Sequence, residues 1–260
     1  MKKIDLKNQY KSGLNYTKSY VTLNEENADN LVEFTIYGNR LANYLVKTYE
    51  RHNIYLANKS LLEIGCGMGR LMKPLSTHFY WVSGVDISKE ILQEASIYLE
   101  NTPNISLYEN DGKSLNLFEN EAFDCILTAG VLQHIPKREI IENYFKESIR
   151  VLKTEGFFLF SFQIWQTDII GYNRVGAKIT AKWLNKIFES LPVKLLEVAI
   201  DSKDPIPHMC ILVQKIKESN GFVITPEIVQ EIPWRTLCWE GLKSCEQQIN
   251  KSVRSITFFD

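Results

Sequence analysis

The run Leu61-Leu62-Glu63-Ile64-Gly65-Cys66-Gly67-Met68-Gly69-Arg70 places three alternate glycines after a short apolar stretch, with an acid two residues ahead of the first. Glycines let backbone N–H groups approach a ligand closely, and a helix starting there favours a carboxylate or phosphate. A strand, a glycine-rich turn and a helix start together make a nucleotide-type cradle. A dinucleotide site calls for G-x-G-x-x-G. Counting from Gly65 puts Arg70 in the third glycine position and counting from Gly67 puts Met72 there, so neither register fits a pyrophosphate. Two more acids end apolar runs downstream. Asp86 lies in Gly84-Val85-Asp86-Ile87-Ser88, seventeen residues after Gly69, where a carboxylate can accept both hydroxyls of a ribose. Asp111 and Gly112 end the next run. Each has a plainer reading: the glycines as a tight turn, the two Asp residues as helix N-caps, Cys66 as filler in the loop.

The elements that must position these residues follow from periodicity. Residues 1–25 are polar, rich in Asn, Lys and Tyr, and read as an irregular arm. From Asn27 to His52, Leu31, Phe34, Leu41, Tyr44, Leu45 and Tyr49 recur at helical spacing, which predicts one amphipathic helix or two broken near Gly38. Short apolar runs then alternate with helical stretches. Strands are expected at 60–64, 80–85, 105–109, 123–128, 156–162, 194–199 and 208–215, and helices at 69–77, 89–100, 137–152 and 180–190. Strands separated by helices mean βαβ units, a mostly parallel sheet and right-handed crossovers. The aromatic residues Phe157, Phe158, Phe160 and Phe162 read as strand core, while Trp165 falls past the strand end. The chain divides into an N-terminal arm and helix (1–58), a central α/β domain (59–216) and a C-terminal extension (217–260) carrying Trp234 and Trp239.

Composition bounds the function. The 260 residues allow one large domain or two small ones, and 45% hydrophobic with 23% charged is ordinary for a globular chain. Thirty Lys plus Arg against 31 Asp plus Glu leave a net charge of -1, which argues against affinity won by neutralising many phosphates or an anionic membrane. The five cysteines, Cys66, Cys125, Cys210, Cys238 and Cys245, show no Cys-x-x-Cys pair, and the N-terminal lysines precede no apolar segment. No apolar run approaches the ~18–20 residues that span a bilayer. The expectation is a cytoplasmic protein with reduced thiols.

The G-x-G-x-G turn with its leading acid resembles motif I of the class I S-adenosylmethionine-dependent methyltransferases. The resemblance continues through Asp86, through Asp111-Gly112, through the fourth-strand segment FDCILTAGVLQHIP and through ESIRVLKTEGFFLFS, and covers about residues 59–215. It implies a three-layer αβα sandwich around a seven-stranded, mostly parallel sheet whose last strand is antiparallel. It implies S-adenosylmethionine over the C-terminal strand ends, with S-adenosylhomocysteine as product. Residue by residue, Glu63 would sit near the methionyl amino group. Gly65, Cys66, Gly67 and Arg70 would line the methionine half, and Asp86 with Ile87 the ribose and adenine edge. Asp111 and Gly112 would bind adenine, and Ala129 would lie beneath the sulfonium. Where many relatives place a small polar residue or a second acid, this chain has Thr128-Ala129-Gly130.

Methyl transfer is an in-line displacement, and holding nucleophile, methyl and sulfur collinear can supply roughly 7–11 kcal/mol. A hydroxyl nucleophile gains a further ~10²–10⁴-fold from a base. His134 is the leading candidate because its ordinary pKa suits proton uptake near neutrality; Asp168, Tyr172 and His208 are the others. The Asp/Asn-Pro-Pro-Tyr signature of amino-base nucleic-acid methylases is missing, and Phe160–Trp165 offers no carboxylate for the magnesium of catechol-type methylases, so no metal is expected. The acceptor expected is a small molecule, an oxygen of a sugar or other polar metabolite in glycan or secondary-metabolite synthesis. Tyr16, Tyr20, Tyr37, Arg40, Trp165, Arg174, Trp234 and Arg235 are the candidates to close over it, and the arginines suit a phosphorylated or carboxylated acceptor. A protein or RNA methyltransferase, and a catalytically silent binding partner on the same fold, stand as alternatives; oligomeric state is not legible.

Overall fold

Strands that carry apolar residues on both faces must lie between two layers. The computed structural model describes residues 28–163, 176–177, 179–201, 208–218 and 223–232. In chain order the elements are α1 (Ala28–Arg51), β1 (Ser60–Ile64), α2 (Met72–Leu75), β2 (Trp81–Asp86), α3 (Lys89–Tyr98) and β3 (Ile105–Glu109). They continue with β4 (Phe123–Ala129), α4 (Arg138–Val151), β5 (Leu152–Gln163), α5 (Ala181–Phe188), β6 (Val193–Asp201), β7 (His208–Lys215) and β8 (Gln230–Glu231). One sheet takes the order β3-β2-β1-β4-β5-β7-β6-β8, parallel throughout except β7, which runs antiparallel to both β5 and β6. The strand order reverses at β1, with β2 and β3 added on one side and β4 onward on the other, so the crevice at the C-terminal ends of β1 and β4 is the switch point where such sheets bind ligands.

Alternation along the strands assigns the layers. Ile126, Phe158, Phe160 and Phe162 pack under α4 and α5 with Ile141, Phe145, Leu184 and Phe188. Leu61, Val82, Cys125, Leu127, Phe157 and Leu159 pack on the opposite side, under α1, α2 and α3. The three-layer α/β architecture expected from the sequence is therefore present, with one strand more: β8 lies along Ala199 and Ile200 of β6. Two exposed polar residues carry no alternation, which is why β8 has no sequence signal.

Several boundaries move for identifiable reasons. Regular helix after the glycine turn is confined to Met72–Leu75, because Pro74 has no N–H to continue the ladder. β5 begins at Leu152, which already pairs with Phe123 before a bulge that holds Glu155 at φ +65. α5 starts one residue later than expected because Thr180 is its cap, accepting from Trp183 N at 3.3 Å.

The expected alternative of a break near Gly38 does not occur: α1 is one helix of 24 residues. A Cβ at Gly38 would lie 2.7 Å from the Arg70 carbonyl oxygen and 2.8 Å from Arg70 Cγ. The glycine is there to let the helix meet the glycine-rich turn, not to bend it. At its other end α1 is pinned to β6, where Arg51 donates to Glu197 from Nε at 3.1 Å and Nη2 at 2.6 Å, and His52 Nε2 lies 3.0 Å from the same carboxylate. Among the described residues no helix is long and apolar enough to cross a membrane.

Gly38→Ala separates these two roles. Helix propensity alone would stabilise α1 by about 1 kcal/mol, whereas pressing a methyl into backbone costs roughly 1–3 kcal/mol. A lower melting temperature is expected in thermal denaturation; a higher one would mean that α1 does not bear on Arg70.

Candidate active site

Glu63 sits on the interior strand β1, in register with Gly84 of β2 and Leu127 of β4, one residue before the end of the strand. Its side chain is only 3% exposed, and Oε2 has no hydrogen-bond partner. Burial pushes the carboxyl up to about 8; the positive charge of Arg70 pulls it down and Asp86 pushes it further up. A buried polar atom without a partner is costly, and a cationic ligand group would satisfy it.

The turn itself is built for close approach. Gly65 N and Cys66 N both donate to Val85 O, at 2.8 and 3.0 Å, which ties the turn to β2. Gly65 has φ +72 and any Cβ there would run into Val131 of the loop after β4, so this glycine brings the two strand-end loops together. Gly67 has φ +54, yet a Cβ there would meet nothing within 4 Å, so its free side opens onto space. Cys66 points the other way, into the α1-side core, where burial raises its thiol well above the ordinary range. It fills the loop from behind rather than lining the site with its side chain.

Asp86 completes the cradle. Its Oδ2 accepts from Gly67 N and its Oδ1 from Ser88 N, both at 3.0 Å. Burial raises its carboxyl, and the N–H groups of Ser88, Gly67 and Ile87 pull it partly back. Asp86 is not the helix cap; Ser88 is, accepting from Ile91 N at 3.2 Å. Asp111 behaves differently: it is exposed and holds its own loop, Oδ1 accepting from Lys113 N and Ser114 N at 2.8 Å. Burial pushes its carboxyl up but those bonds outweigh it and hold the group below the ordinary range. Beside it, Gly112 packs against Ile87 and donates to Asn110 Oδ1 at 3.2 Å.

On the acceptor side, Ala129 ends β4 half-buried, Gly130 follows, and His134 is exposed at the end of the 3-10 turn Leu132–His134. His208 opens β7 and is 1% exposed, in register with Gln163 of β5 and Asp201 of β6, all at the C-terminal edge of the parallel strands. Asp201 is fully buried and had no signal in sequence, since only the antiparallel β6–β7 register brings it beside His208. Gln133, 5% exposed with Oε1 unpartnered, was likewise missed in the loop after β4. Tyr37 is buried, with its ring centroid 4.7 Å from the Arg70 guanidinium carbon. Arg40 is exposed on α1. Tyr16, Tyr20, Trp165, Asp168, Tyr172, Arg174, Trp234 and Arg235 lie outside the described residues. Among the described residues no group of three His, Cys, Asp or Glu gathers as a metal set would.

Residues 61–156 match the family model described as a methyltransferase domain. A ubiquinone biosynthesis O-methyltransferase from Pelagibacter ubique is 29% identical over 129 residues, 50% of this chain and 52% of that protein. The chain thus spans about half the length of the curated relatives it matches. The crystal structure of an S-adenosylmethionine-dependent methyltransferase from Methanosarcina mazei superposes with a TM-score of 0.53 at 19% identity, covering 64% of this chain and 97% of that one. A phosphoethanolamine N-methyltransferase from Haemonchus contortus, in complex with phosphoethanolamine and S-adenosylhomocysteine, gives 0.60 at 13% identity over 91% of this chain and 54% of its own. These solved structures share the fold.

The elevated Glu63 carboxyl makes stability depend on pH. The folded state holds this proton more tightly than the unfolded chain, so the stability it contributes is complete below the ordinary value of 4.5 and is lost as pH rises toward 8. Glu63→Gln removes that slope, on the order of 1.4 kcal/mol per pH unit across the window. Urea denaturation at stepped pH checks this, with the remaining slope from Asp86 unchanged; an unaltered profile would place the proton elsewhere.

Proposed function

We propose that this chain, which carries a class I methyltransferase domain, transfers a methyl group from S-adenosylmethionine to a small polar acceptor. The observation that carries the reading is the unpartnered, buried Glu63 Oε2 at the end of β1, followed by a glycine turn open at Gly67 and tied to Asp86 on the neighbouring strand. That donor set fits the cofactor. Glu63 accepts from the α-amino group, the Gly65–Gly67 backbone follows the methionine chain, and Asp86 with Ile87 takes the ribose and adenine edge. Asp111 and Gly112 border the adenine, Asp111 by fixing its loop. When bound, S-adenosylmethionine supplies an electrophilic methyl on a sulfonium.

The protein's part is then mostly positional, as an in-line displacement requires. Ala129 and Gly130 put no bulky side chain at the end of β4, leaving the methyl-transfer face to backbone and acceptor. To His134, exposed just beyond, we assign uptake of the acceptor's proton; His208 is the second candidate, buried one strand past β5. The near-zero net charge and the named O-methyltransferase relative support an oxygen acceptor of small size, such as a sugar or a phenolic metabolite. The exposed Arg40, together with the phosphoethanolamine carried by one structural neighbour, supports an anionic group on that acceptor.

A methylation screen over sugars, phenols and phosphorylated bases, read by mass, tests this with Asp86→Ala as control. Asp86→Ala removes both the diol acceptor and the Gly67 N–H partner, so cofactor affinity should fall at least tenfold, as for a lost charge-assisted hydrogen bond. Methyl incorporation only into peptide or RNA would overturn the small-acceptor reading, and wild-type protein that fails to bind S-adenosylmethionine would overturn the activity itself.

A further inference from the structure

We infer that the carboxamide of Gln133 reads a hydroxyl or amine hydrogen on the methyl acceptor, and so selects acceptors that carry such a donor at the bare end of β4. The inference rests on the methyltransferase reading and deepens it, since it names what the acceptor must present there.

Gln133 is the middle residue of the 3-10 turn Leu132–His134. It is 5% exposed, and among the described residues nothing donates to its Oε1. An amide buried this deeply normally has its oxygen paired. The carboxamide lies beside Gly130, which follows Ala129 at the end of β4 with φ +75. Among the described residues, and chain neighbours aside, Gln133 Nε2 is the one heavy atom within 4 Å of where a Gly130 Cβ would stand, at 3.7 Å. The free side of this glycine is thus open space with an amide at its border. Oε1 is carried on the same carbon as Nε2 and adjoins that space.

Backbone contacts hold the amide in place. His134 N donates to Val131 O at 2.9 Å and Ile135 N to Leu132 O at 3.2 Å, which closes the turn. Ala177 N donates to Ile135 O at 2.8 Å, and a Cβ on Gly176 would overlap the Gln133 carbonyl oxygen, so residues 176–177 lie directly against the turn. Val131, in the same loop, fills the space that a Cβ on Gly65 would need. The loop that carries Gln133 is therefore seated on the glycine-rich turn, and the two halves of the site are fixed relative to each other.

The chemistry of the amide then limits what can complete it. Oε1 can only accept, and Thr128-Ala129-Gly130 brings no charge and no long side chain to that space. A ligand group that satisfies the oxygen must bring an O–H or N–H hydrogen. An ether, an ionised carboxylate or a phosphate dianion has none to give, so an anionic group on the acceptor lies away from Gly130. A site built to bond a hydroxyl discriminates strongly against an analogue that lacks it.

The test uses catechol and 1,2-difluorobenzene, two rings of similar shape of which only the first has hydrogens to donate. Each is titrated calorimetrically into the full chain saturated with S-adenosylhomocysteine. Wild type should prefer catechol roughly tenfold or more. Gln133→Met keeps the length of the side chain and removes the oxygen, so catechol affinity should fall about tenfold while the difluoro ring and S-adenosylhomocysteine bind as before. Gln133→Glu, which keeps an oxygen acceptor, should retain the preference. A residue that waits for a ligand is also distinguished from a structural one by melting temperature. Gln133→Met discards an unmet buried oxygen and should melt no lower than wild type in the free protein. Should that variant not fold, Gln133→Asn withdraws the oxygen by one carbon, with a several-fold loss of catechol affinity expected. Equal losses for both rings, an undiminished preference in Gln133→Met, or a melting temperature several degrees lower would make Gln133 a structural residue and overturn the proposal. So would wild type that binds S-adenosylhomocysteine yet shows no preference for catechol. Wild type that binds no S-adenosylhomocysteine at all would overturn the methyltransferase reading, and this inference with it.

Discussion

A carboxyl group buried on an interior strand, in the parallel part of the sheet, is the constraint around which the site is organised. Glu63 takes a position where β1 and its neighbours β2 and β4 otherwise place apolar residues or glycine. Desolvating a carboxylate there costs several kcal/mol in real proteins, and the protein's response is to keep the proton, not to supply a full ion pair. The nearby groups hold this unsatisfied state open. Asp86 adds a second negative group and Arg70 a positive one, and the backbone bonds of the turn are spent on Val85 and Asp86, not on Glu63. A buried carboxyl left in this state costs stability, and such groups cluster at functional sites.

The N-terminal helix belongs to the same arrangement. Over 24 residues α1 extends about 36 Å, and its two fixed points serve different ends. Near its middle Gly38, Phe34 and Tyr37 grip Arg70; at its end Arg51 and His52 grip Glu197 on β6. The second contact is a bidentate pair around a nearly buried carboxylate, with Thr48 Oγ1 accepting from Arg51 Nη2 at 3.0 Å. Breaking one partner of such a pair strands a charge, so it fixes how α1 lies across the sheet. The helix cannot tilt away from the glycine turn without straining that pin. β6 and the glycine-rich turn are thereby linked through one helix.

Much of this was legible in the sequence, because the informative signals are local. The glycine spacing, the acids ending β2 and β3, and the alternation of the phenylalanines in β5 each depend on residues within one element and its turn. The order of those elements then fixes the sheet through the right-handed crossover rule. What was not legible is non-local. Gly38 in isolation reads as a helix breaker because propensity penalises it, while its actual reason is Arg70, 32 residues away. Tyr37 and Arg40 differ by three positions on one helix face; only the docking of α1 decides that the first is buried behind the turn and the second exposed. Asp111 matches the family position, but whether an acid faces a ligand or ties its own loop is a matter of one rotamer. Asp201 needs the β6–β7 register to appear beside His208 at all.

The same distinction bears on how few residues the chemistry requires. An in-line displacement from an already activated methyl group needs collinearity more than it needs acid–base groups, and β4 ends in Ala129-Gly130, which leaves room and no charge where the reaction would occur. Polar side chains are placed to either side instead. Glu63 and Asp86 lie at the β1–β2 side, while His134 stands after β4 and the buried His208 and Asp201 lie beyond β5. A net charge of -1 supplies no long-range field to gather an anionic acceptor, so selectivity has to come from such placed contacts. On the proposed reading, that division of carboxyl groups on one side of a bare strand end and other polar groups on the other separates cofactor recognition from acceptor recognition on one sheet.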